Sequence, residues 1–371
     1  MAFYVLSFLL LSTLGPLLVR SVASSEESTA VYGPNLLTNP GFEYGLAGWN
    51  TSGTAVYRVD SSTFVSGHYS CKGVESSTES LGRLYQDVTN ITSPENQYQI
   101  SGWIKTNLTT EEDGVVIGLD YVASGGWTPE DGYVMEIGYV QGIQDWTPFQ
   151  SEVFTLPSMP TDAQALWFFL GFNYEAGTAW WDNVSLNLVT YPVQVAQGTN
   201  VSVIVNPNVS LVFDNVTGPG VATAIATSSY PPPPAPSGTS SDPSFIGPVW
   251  IITTTATFSG QVTVGISYPA TANPTKMFET DIVPGDVNHD GVVNLTDILL
   301  ILKAMGSRPG DPRWNPNCDL NHNNKIDIGD LLIALKNYGK TSQWTDITWY
   351  VDTTNYIIYG RTNHFSFIAI H

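Results

Sequence analysis

Short runs in which apolar and polar side chains alternate, separated by Gly, Pro, Asn and Ser, fill most of this chain. A period of two sends successive side chains to opposite faces of a strand, so the runs predict antiparallel sheets with one buried face. The first block covers residues 35–190 and reads as one β-sandwich. In the run 98–105, Gln99, Ser101, Trp103 and Lys105 share a face, which sets Trp103 among polar groups. In the last run, Trp180, Asp182, Val184, Leu186 and Leu188 share one face, and Trp181, Asn183, Ser185 and Asn187 the other. The apolar face is expected to be the core. That places Trp181 outside and Asp182 inside, where a carboxylate is costly unless hydrogen-bonded or metal-bound.

A second block of strand-like runs covers 193–205, 209–216, 249–258 and 261–268, interrupted by a Pro/Ser/Gly-rich loop or linker at 228–248. Strand patterns return only after residue 343, at 347–351, 356–359 and 365–370. A tail of about 30 residues cannot bury a core alone. It is therefore expected to complete the sheet begun at Tyr191, giving a β-sandwich split into 191–283 and 341–371 around an insertion. Insertion at a surface loop is undemanding because closure entropy grows slowly with length. The alternative is a tail that packs on the inserted segment or pairs with another protein.

Only between residues 284 and 340 does the apolar spacing change to three and four. Leu299, Leu302, Lys303 and Gly306 recur as Leu332, Leu335, Lys336 and Gly339, which predicts two helices, each with an apolar stripe and a Gly stop. Each is preceded by a loop rich in side-chain oxygens. Residues 286–297 read D-V-N-H-D-G-V-V-N-L-T-D, and residues 319–330 read D-L-N-H-N-N-K-I-D-I-G-D. Loop positions 1, 3, 5, 9 and 12 are Asp286, Asn288, Asp290, Asn294 and Asp297 in the first copy. In the second they are Asp319, Asn321, Asn323, Asp327 and Asp330. A hard cation such as Ca²⁺ collects its ligands from one short loop in this way, with a backbone carbonyl at position 7, here Val292 and Lys325. Gly291 falls where the loop must turn sharply. Asn324, which tolerates a left-handed backbone, takes that place in the second copy.

Composition narrows the context. Residues 3–19 are apolar and uncharged and precede Ser21-Val22-Ala23, so residues 1–23 read as a secretory signal peptide, although no Lys or Arg precedes the apolar run. No other stretch is long enough to span a bilayer. Export suits a calcium module, since free Ca²⁺ is high outside cells. Cys71 and Cys318 lie in separate blocks and are expected as free thiols. The net charge of −20 comes from only 13 Lys and Arg, which argues against nucleic acid as a partner. Asn-x-Ser/Thr triplets are numerous, but so are Asn, Ser and Thr; Asn294, in one of them, reads better as a calcium ligand.

With a helix after each loop and none before it, residues 284–340 resemble a dockerin, the duplicated calcium module that docks onto a cohesin. The resemblance implies two bound Ca²⁺ and a cohesin-type partner. It also implies partner-binding roles for Leu295, Thr296, Lys303, Ile328, Gly329 and Lys336. Positions 10 and 11, often Ser-Thr in the family, are Leu295-Thr296 and Ile328-Gly329 here. A calcium-stabilised spacer without a partner is the alternative.

The opening N-L-L-T-N-P-G-F-E-Y-G-L-A-G-W at 35–49, followed in order by the runs at 65–70, 84–88, 98–105, 146–149, 154–157 and 180–186, resembles a jelly-roll carbohydrate-binding module of the family 4/9 type. The resemblance implies a polysaccharide ligand and a further structural Ca²⁺ at Glu43 and Asp182. An Asp182 satisfied by backbone N–H groups is the alternative. Sugar stacking needs flat aromatic faces. Trp103, Trp127, Tyr133 and Trp181 are the candidates, against ordinary core or rim roles.

The sequence carries no H-E-x-x-H, G-x-S-x-G or G-x-x-x-x-G-K motif. Glu111, Glu112, Glu130, Asp131 and Glu136 are the acidic groups a glycosidase would have to draw on. The expected fold is mainly β: a jelly roll, then a second sandwich with a small α-helical calcium-binding insertion. The expected protein is secreted or held at a cell surface, binds polysaccharide and docks to a cohesin. A structural or adhesive surface protein and a small jelly-roll glycoside hydrolase are the alternatives.

Overall fold

The computed structural model describes residues 29–78, 81–109, 114–123, 133–227, 245–281, 283–288, 290–309, 311, 313–321 and 323–371. The expected signal peptide and Trp127 lie outside the described residues. The chain is mainly β, with strands in four antiparallel sheets and two α-helices.

The first two sheets form a jelly-roll sandwich. One orders Phe154–Thr155, Gln97–Leu108, Gly177–Thr190, Ser70–Glu75 and Val56–Asp60, with Val31–Asn35 and Ile143–Gln150 attached. The other orders Asn50–Ser52, Leu81–Asp87, Ala163–Asn173, Gly114–Ala123 and Tyr133–Val140. Between them Leu84, Ile100, Ile104, Ile117, Phe168, Leu170 and Phe172 form a continuous buried core. The inward residues occur at every second position, as the alternation predicts.

Trp181 is a correction. It is 0% exposed, in contact with Tyr57 and Phe172, and its indole Nε1 donates to the Val116 carbonyl at 3.3 Å. It therefore cannot stack on a sugar in this structure. The cause is a β-bulge: Asp182 pairs with Trp103 but Ser185 with Ser101, so three steps on one strand match two on the other. Asn183 absorbs the extra residue at φ 48°. The bulge inverts the inside–outside parity, so Trp181 faces in before it while Val184 and Leu186 face in after it. Trp180 is the outward residue, beneath Lys72 and donating to Asp60 at 2.9 Å.

The second sandwich has one sheet ordered Val193–Val195, Gly220–Thr227, Val249–Thr254, Phe367–Ile370, Met277–Thr280 and Thr345–Asp346. The other orders Gly198–Asn206, Val209–Gly218, Thr257–Ser267, Ile357–Thr362 and Thr348–Asp352. Two runs read from sequence as single strands are divided between the sheets, at residues 196–197 and 255–256. The tail enters both sheets. Phe367–Ile370 lies between Val249–Thr254 and Met277–Thr280, and Ile357–Thr362 pairs with Thr257–Ser267. Ile358, Ile368 and Ile370 share a core with Leu211, Phe213, Trp250 and Val264. Between the sandwiches, Asn96 donates to the Ala226 carbonyl at 2.7 Å and accepts from its N–H at 2.9 Å.

The helices are α1, Leu295–Ala304, and α2, Ile328–Lys336. Each opens on a capping box, Asn294 with Asp297 and Asp327 with Asp330. Val287, Ile298, Ile301, Ala304, Cys318, Ile326 and Ala334 give this unit its own core. The segment leaving it folds back on its first loop: Val293 N–H donates to the Lys340 carbonyl at 3.0 Å, Gly339 N–H to Val293 at 2.8 Å and Ser342 N–H to Gly291 at 2.8 Å. Cys71 and Cys318 are free and buried, and burial pushes the Cys318 thiol up to about 11. Among the described residues no helix is long and apolar enough to cross a membrane.

Removal of a fully buried indole leaves a large cavity, so Trp181→Ala is expected to destabilise the protein by about 3–5 kcal/mol. Trp103→Ala, on the half-buried outer face, is expected to cost clearly less. Urea unfolding of both variants tests the assignment; equal losses would return Trp181 to the surface.

Candidate calcium loops and carbohydrate-binding face

In the first loop, main-chain N–H groups hold the carboxylates in place. Asp286 accepts from the N–H groups of Asp290 at 3.1 Å and Gly291 at 3.0 Å. Asp297 accepts from Val287 at 2.9 Å and from Asn294 at 2.8 Å. Gly291 makes the turn at φ 85°. Ligand oxygens of Asp286, Asp290 and Asp297 come within 4.8 Å of one another. Burial, and then the charges of Asp297 and Asp290, push the Asp286 carboxyl up to about 6. Crowded anions of this kind are costly alone and are relieved by a cation. The donor set is all oxygen, as Ca²⁺ requires, and the residues present fit that ion. Asp286, Asn288, Asp290, Asn294 and Asp297 would hold it, with the Val292 carbonyl.

The second loop repeats the frame. Asp319 accepts from Asn323 at 3.1 Å and Asn324 at 2.8 Å, and Asp330 from Asn321 at 3.1 Å and Asp327 at 2.8 Å. Asn324 takes φ 61°, the counterpart of Gly291. One difference is electrostatic. The Lys325 ammonium lies 3.3 Å from Asp327, and the Gly329 N–H and then Lys325 hold the Asp327 carboxyl below its usual value. A cation already occupies part of that ligand's field.

The helices carry two apolar stripes rather than one. Ile298, Ile301 and Ala304 turn inward, whereas Leu295, Leu299 and Leu302 on α1, and Ile328, Leu332 and Leu335 on α2, are exposed at the same spacing. Leu295 is 59% and Ile328 62% exposed. Thr296, Lys303 and Lys336 are exposed beside them, and Gly329 is half-buried. The second stripe was present in the repeat, but a Leu reads as core until the packing of its helix is known.

Glu43 and Asp182 come together around residues 65–69. Asp182 Oδ2 accepts from the N–H groups of Val65 at 2.7 Å and Ser66 at 3.1 Å, while Glu43 Oε1 accepts from His68 at 2.8 Å and Tyr69 at 3.1 Å. Burial raises the Asp182 carboxyl above its usual range and Glu43 adds to the shift.

The face of the second jelly-roll sheet turned away from the sandwich core holds polar and aromatic groups that sequence reasoning missed; Arg83, Phe169 and Asn173 are buried there. Arg83 donates to Asn173 at 2.6 Å and lies over the Phe169 ring at 4.5 Å. Asn173 in turn donates to Glu136 at 3.5 Å. Tyr85 and Trp167 stack with centroids 3.6 Å apart, and both are half-buried. Gly171 leaves room for the guanidinium: a Cβ there would lie 2.5 Å from Arg83 Nη1. These residues sit on three different strands, so only the strand order brings them together. Trp103 lies on the opposite sheet with Gln99, Ser101 and Lys105. Trp127 is outside the described residues, and Tyr133 opens the strand Tyr133–Val140 with its side chain outside the description.

Residues 34–173 match the family model of a carbohydrate binding domain, and residues 284–338 match that of the dockerin type I domain. The chain therefore carries one domain of each family. Among solved structures it is similar to the CBM22-1 xylan-binding domain of Paenibacillus barcinonensis Xyn10C, at 15% identity and TM-score 0.31, over 40% of this chain and 90% of that one. It is also similar to TmCBM61 in complex with β-1,4-galactotriose, at 22% identity and TM-score 0.28, over 42% of this chain and 98% of that one. A third is the enzymatically active domain of bacteriophage CBA120 tailspike protein 4, at 13% identity and TM-score 0.31 over 42% of this chain; the match spans 21% of the tailspike domain's length. No curated protein matches the chain.

Binding to the folded loops alone links Ca²⁺ to stability. Chelation is expected to lower the helical circular dichroism signal and the melting temperature, and added Ca²⁺ to restore both. Lys325→Ala is expected to tighten Ca²⁺ at the second loop by about two- to fivefold, the size of a partly exposed ion pair. Calcium titration calorimetry reads this directly, and unchanged binding would show that Lys325 does not compete.

Proposed function

We propose that the protein is a secreted, non-catalytic polysaccharide-binding protein that docks through its calcium-loaded helical unit onto a cohesin-type partner. The observation that carries this reading is the duplicated apolar stripe on α1 and α2. Two helices positioned by their calcium loops expose Leu295, Leu299 and Leu302, and Ile328, Leu332 and Leu335. Exposed apolar groups on a rigid frame are what a partner surface buries. At the other end of the chain, the half-buried Tyr85–Trp167 stack offers aromatic surface suited to sugar, and the Arg83–Asn173–Glu136 network, in which Arg83 and Asn173 are buried, braces the same sheet.

In this reading residues 35–190 bind glycan, and residues 191–283 with 341–371 form one sandwich interrupted by the docking unit at 284–340. Each loop holds one Ca²⁺. A third, at Glu43 and Asp182, is supported by the two carboxylates meeting on the neighbouring N–H groups of residues 65–69. Glu136, on the same sheet, is hydrogen-bonded by Tyr139 and Asn173 through Oε2, and its Oε1 is buried.

Retention of the mature protein on a polysaccharide panel tests the reading. Tyr85→Ala with Trp167→Ala is expected to weaken retention about tenfold, the size of a lost binding hot spot. Leu299→Asp with Leu332→Asp is expected to abolish cohesin capture while leaving glycan retention, and chelation is expected to abolish cohesin capture. Release of soluble sugar from the retained glycan, lost on Glu136→Gln, would replace the binding reading with the glycosidase one.

A further inference from the structure

The second sandwich carries an exposed aromatic cluster on its tail strands. Trp349 and Tyr350 lie on the edge strand Thr348–Asp352, and Tyr359 and Arg361 on its neighbour Ile357–Thr362. Trp349 is 47% and Tyr350 55% exposed. Consecutive residues on a strand ordinarily point to opposite faces. Here Thr348 pairs with Gly360 and Tyr350 with Tyr359, so Trp349 is the extra residue of a β-bulge and both its ring and that of Tyr350 reach Tyr359. The Tyr350 and Tyr359 rings are within 16° of parallel with centroids 6.3 Å apart, and the Trp349 ring meets Tyr359 edge-on at 6.4 Å. The Arg361 guanidinium lies 3.8 Å over the Trp349 ring and fixes it.

The sheet beneath is shaped to this cluster. Tyr359 pairs with Gly265, where a Cβ would lie 2.9 Å from the ring and 2.6 Å from Ser210 Oγ. The glycine leaves room for the Tyr359 ring, which lies half-buried against the sheet. Beyond the rings, Thr263 and Ser267 flank Gly265 on the same side of the strand, opposite the inward Val264 and Ile266. The result is two near-parallel tyrosine rings, with the Trp349 ring set steeply beside them, next to the hydroxyls of a neighbouring strand.

We propose that Trp349, Tyr350 and Tyr359, with Arg361, form a second carbohydrate-binding platform, which takes the pyranose faces of a neutral polysaccharide. The ring faces suit the C–H faces of sugar rings, and Thr263, Ser267 and Arg361 supply partners for sugar hydroxyls. An apolar peptide or lipid would cover those hydroxyls without offering them partners, a cost a saccharide avoids. A polyanionic glycan is disfavoured by the net charge of −20 and by Asp352 on the same strand. This platform lies outside both family-matched regions and is separate from the face that holds Tyr85 and Trp167.

The test uses the full chain in calcium and affinity electrophoresis through gels that contain soluble neutral polysaccharides. Trp349→Ala with Tyr350→Ala, both exposed, is expected to keep the wild-type melting temperature and weaken retardation about tenfold on at least one glycan. Tyr350→Phe is expected to bind as wild type, because the ring face rather than the hydroxyl makes the contact. Tyr85→Ala with Trp167→Ala is expected to leave residual retardation that the four-residue variant loses. If Trp349→Ala with Tyr350→Ala is retarded like wild type on every glycan that wild type binds, the second platform is refuted and the jelly-roll reading stands. If it instead loses binding to lipid vesicles and keeps all glycan binding, the occupant is wrong. Wild-type protein that binds no glycan refutes both sites.

Discussion

The placement of Phe367–Ile370 between Val249–Thr254 and Met277–Thr280 is the contact on which the second half of the molecule depends. A strand in the middle of a sheet cannot be left out without opening two ladders. Its partner Met277–Thr280 ends just before the helical unit, and Thr345–Asp346, which pairs with that same strand, begins just after it. The unit must therefore return the chain to where it departed. It does so through its own backbone: residues 291–293 hydrogen-bond to 339–342, so the two ends are tied together before the sheet is reached. The first calcium loop contains this tie. Asp286 grips the N–H of Gly291 from one side and Ser342 takes the Gly291 carbonyl from the other.

The sheet content of the chain was legible because side-chain alternation survives wherever one face is buried. What alternation cannot register is an insertion of one residue. At Asn183 a bulge flips the parity of the strand, so Trp181 and Trp180 exchange the environments that strict alternation assigns them. Asn gave no warning, since it is common in this chain and acceptable at positive φ. The bulge at Trp349 was hidden in the same way and sends two neighbouring aromatic rings to one place. In contrast, the calcium loops could be read residue by residue, because their ligands are spaced by the local path of the backbone. The Arg83, Tyr85, Trp167, Asn173 and Glu136 face could not, because it exists only once non-adjacent segments have been ordered into a sheet.

Electrostatics and packing divide the helical unit between them. Its hydrophobic core is small, a handful of side chains from Val287 to Ala334, and units of this size rarely hold together on apolar burial alone. The carboxylates at Asp286, Asp290 and Asp297 oppose one another and Asp286 is also desolvated. A divalent ion converts that repulsion into cohesion, which is why the same residues that weaken the empty loop would strengthen the filled one. The helices can then spend a whole apolar face on the outside.

The double attachment of the helical unit also has a mechanical meaning. A module at the end of a chain hangs from one linker and swivels about it. This one is joined to the second sandwich by two covalent connections that emerge beside paired strands of a single sheet. A pull applied to α1 and α2 would divide between two backbones, those of Met277–Thr280 and Thr345–Asp346. Torsion would be resisted for the same reason. The second sandwich in turn meets the first through the paired hydrogen bonds of Asn96 and Ala226.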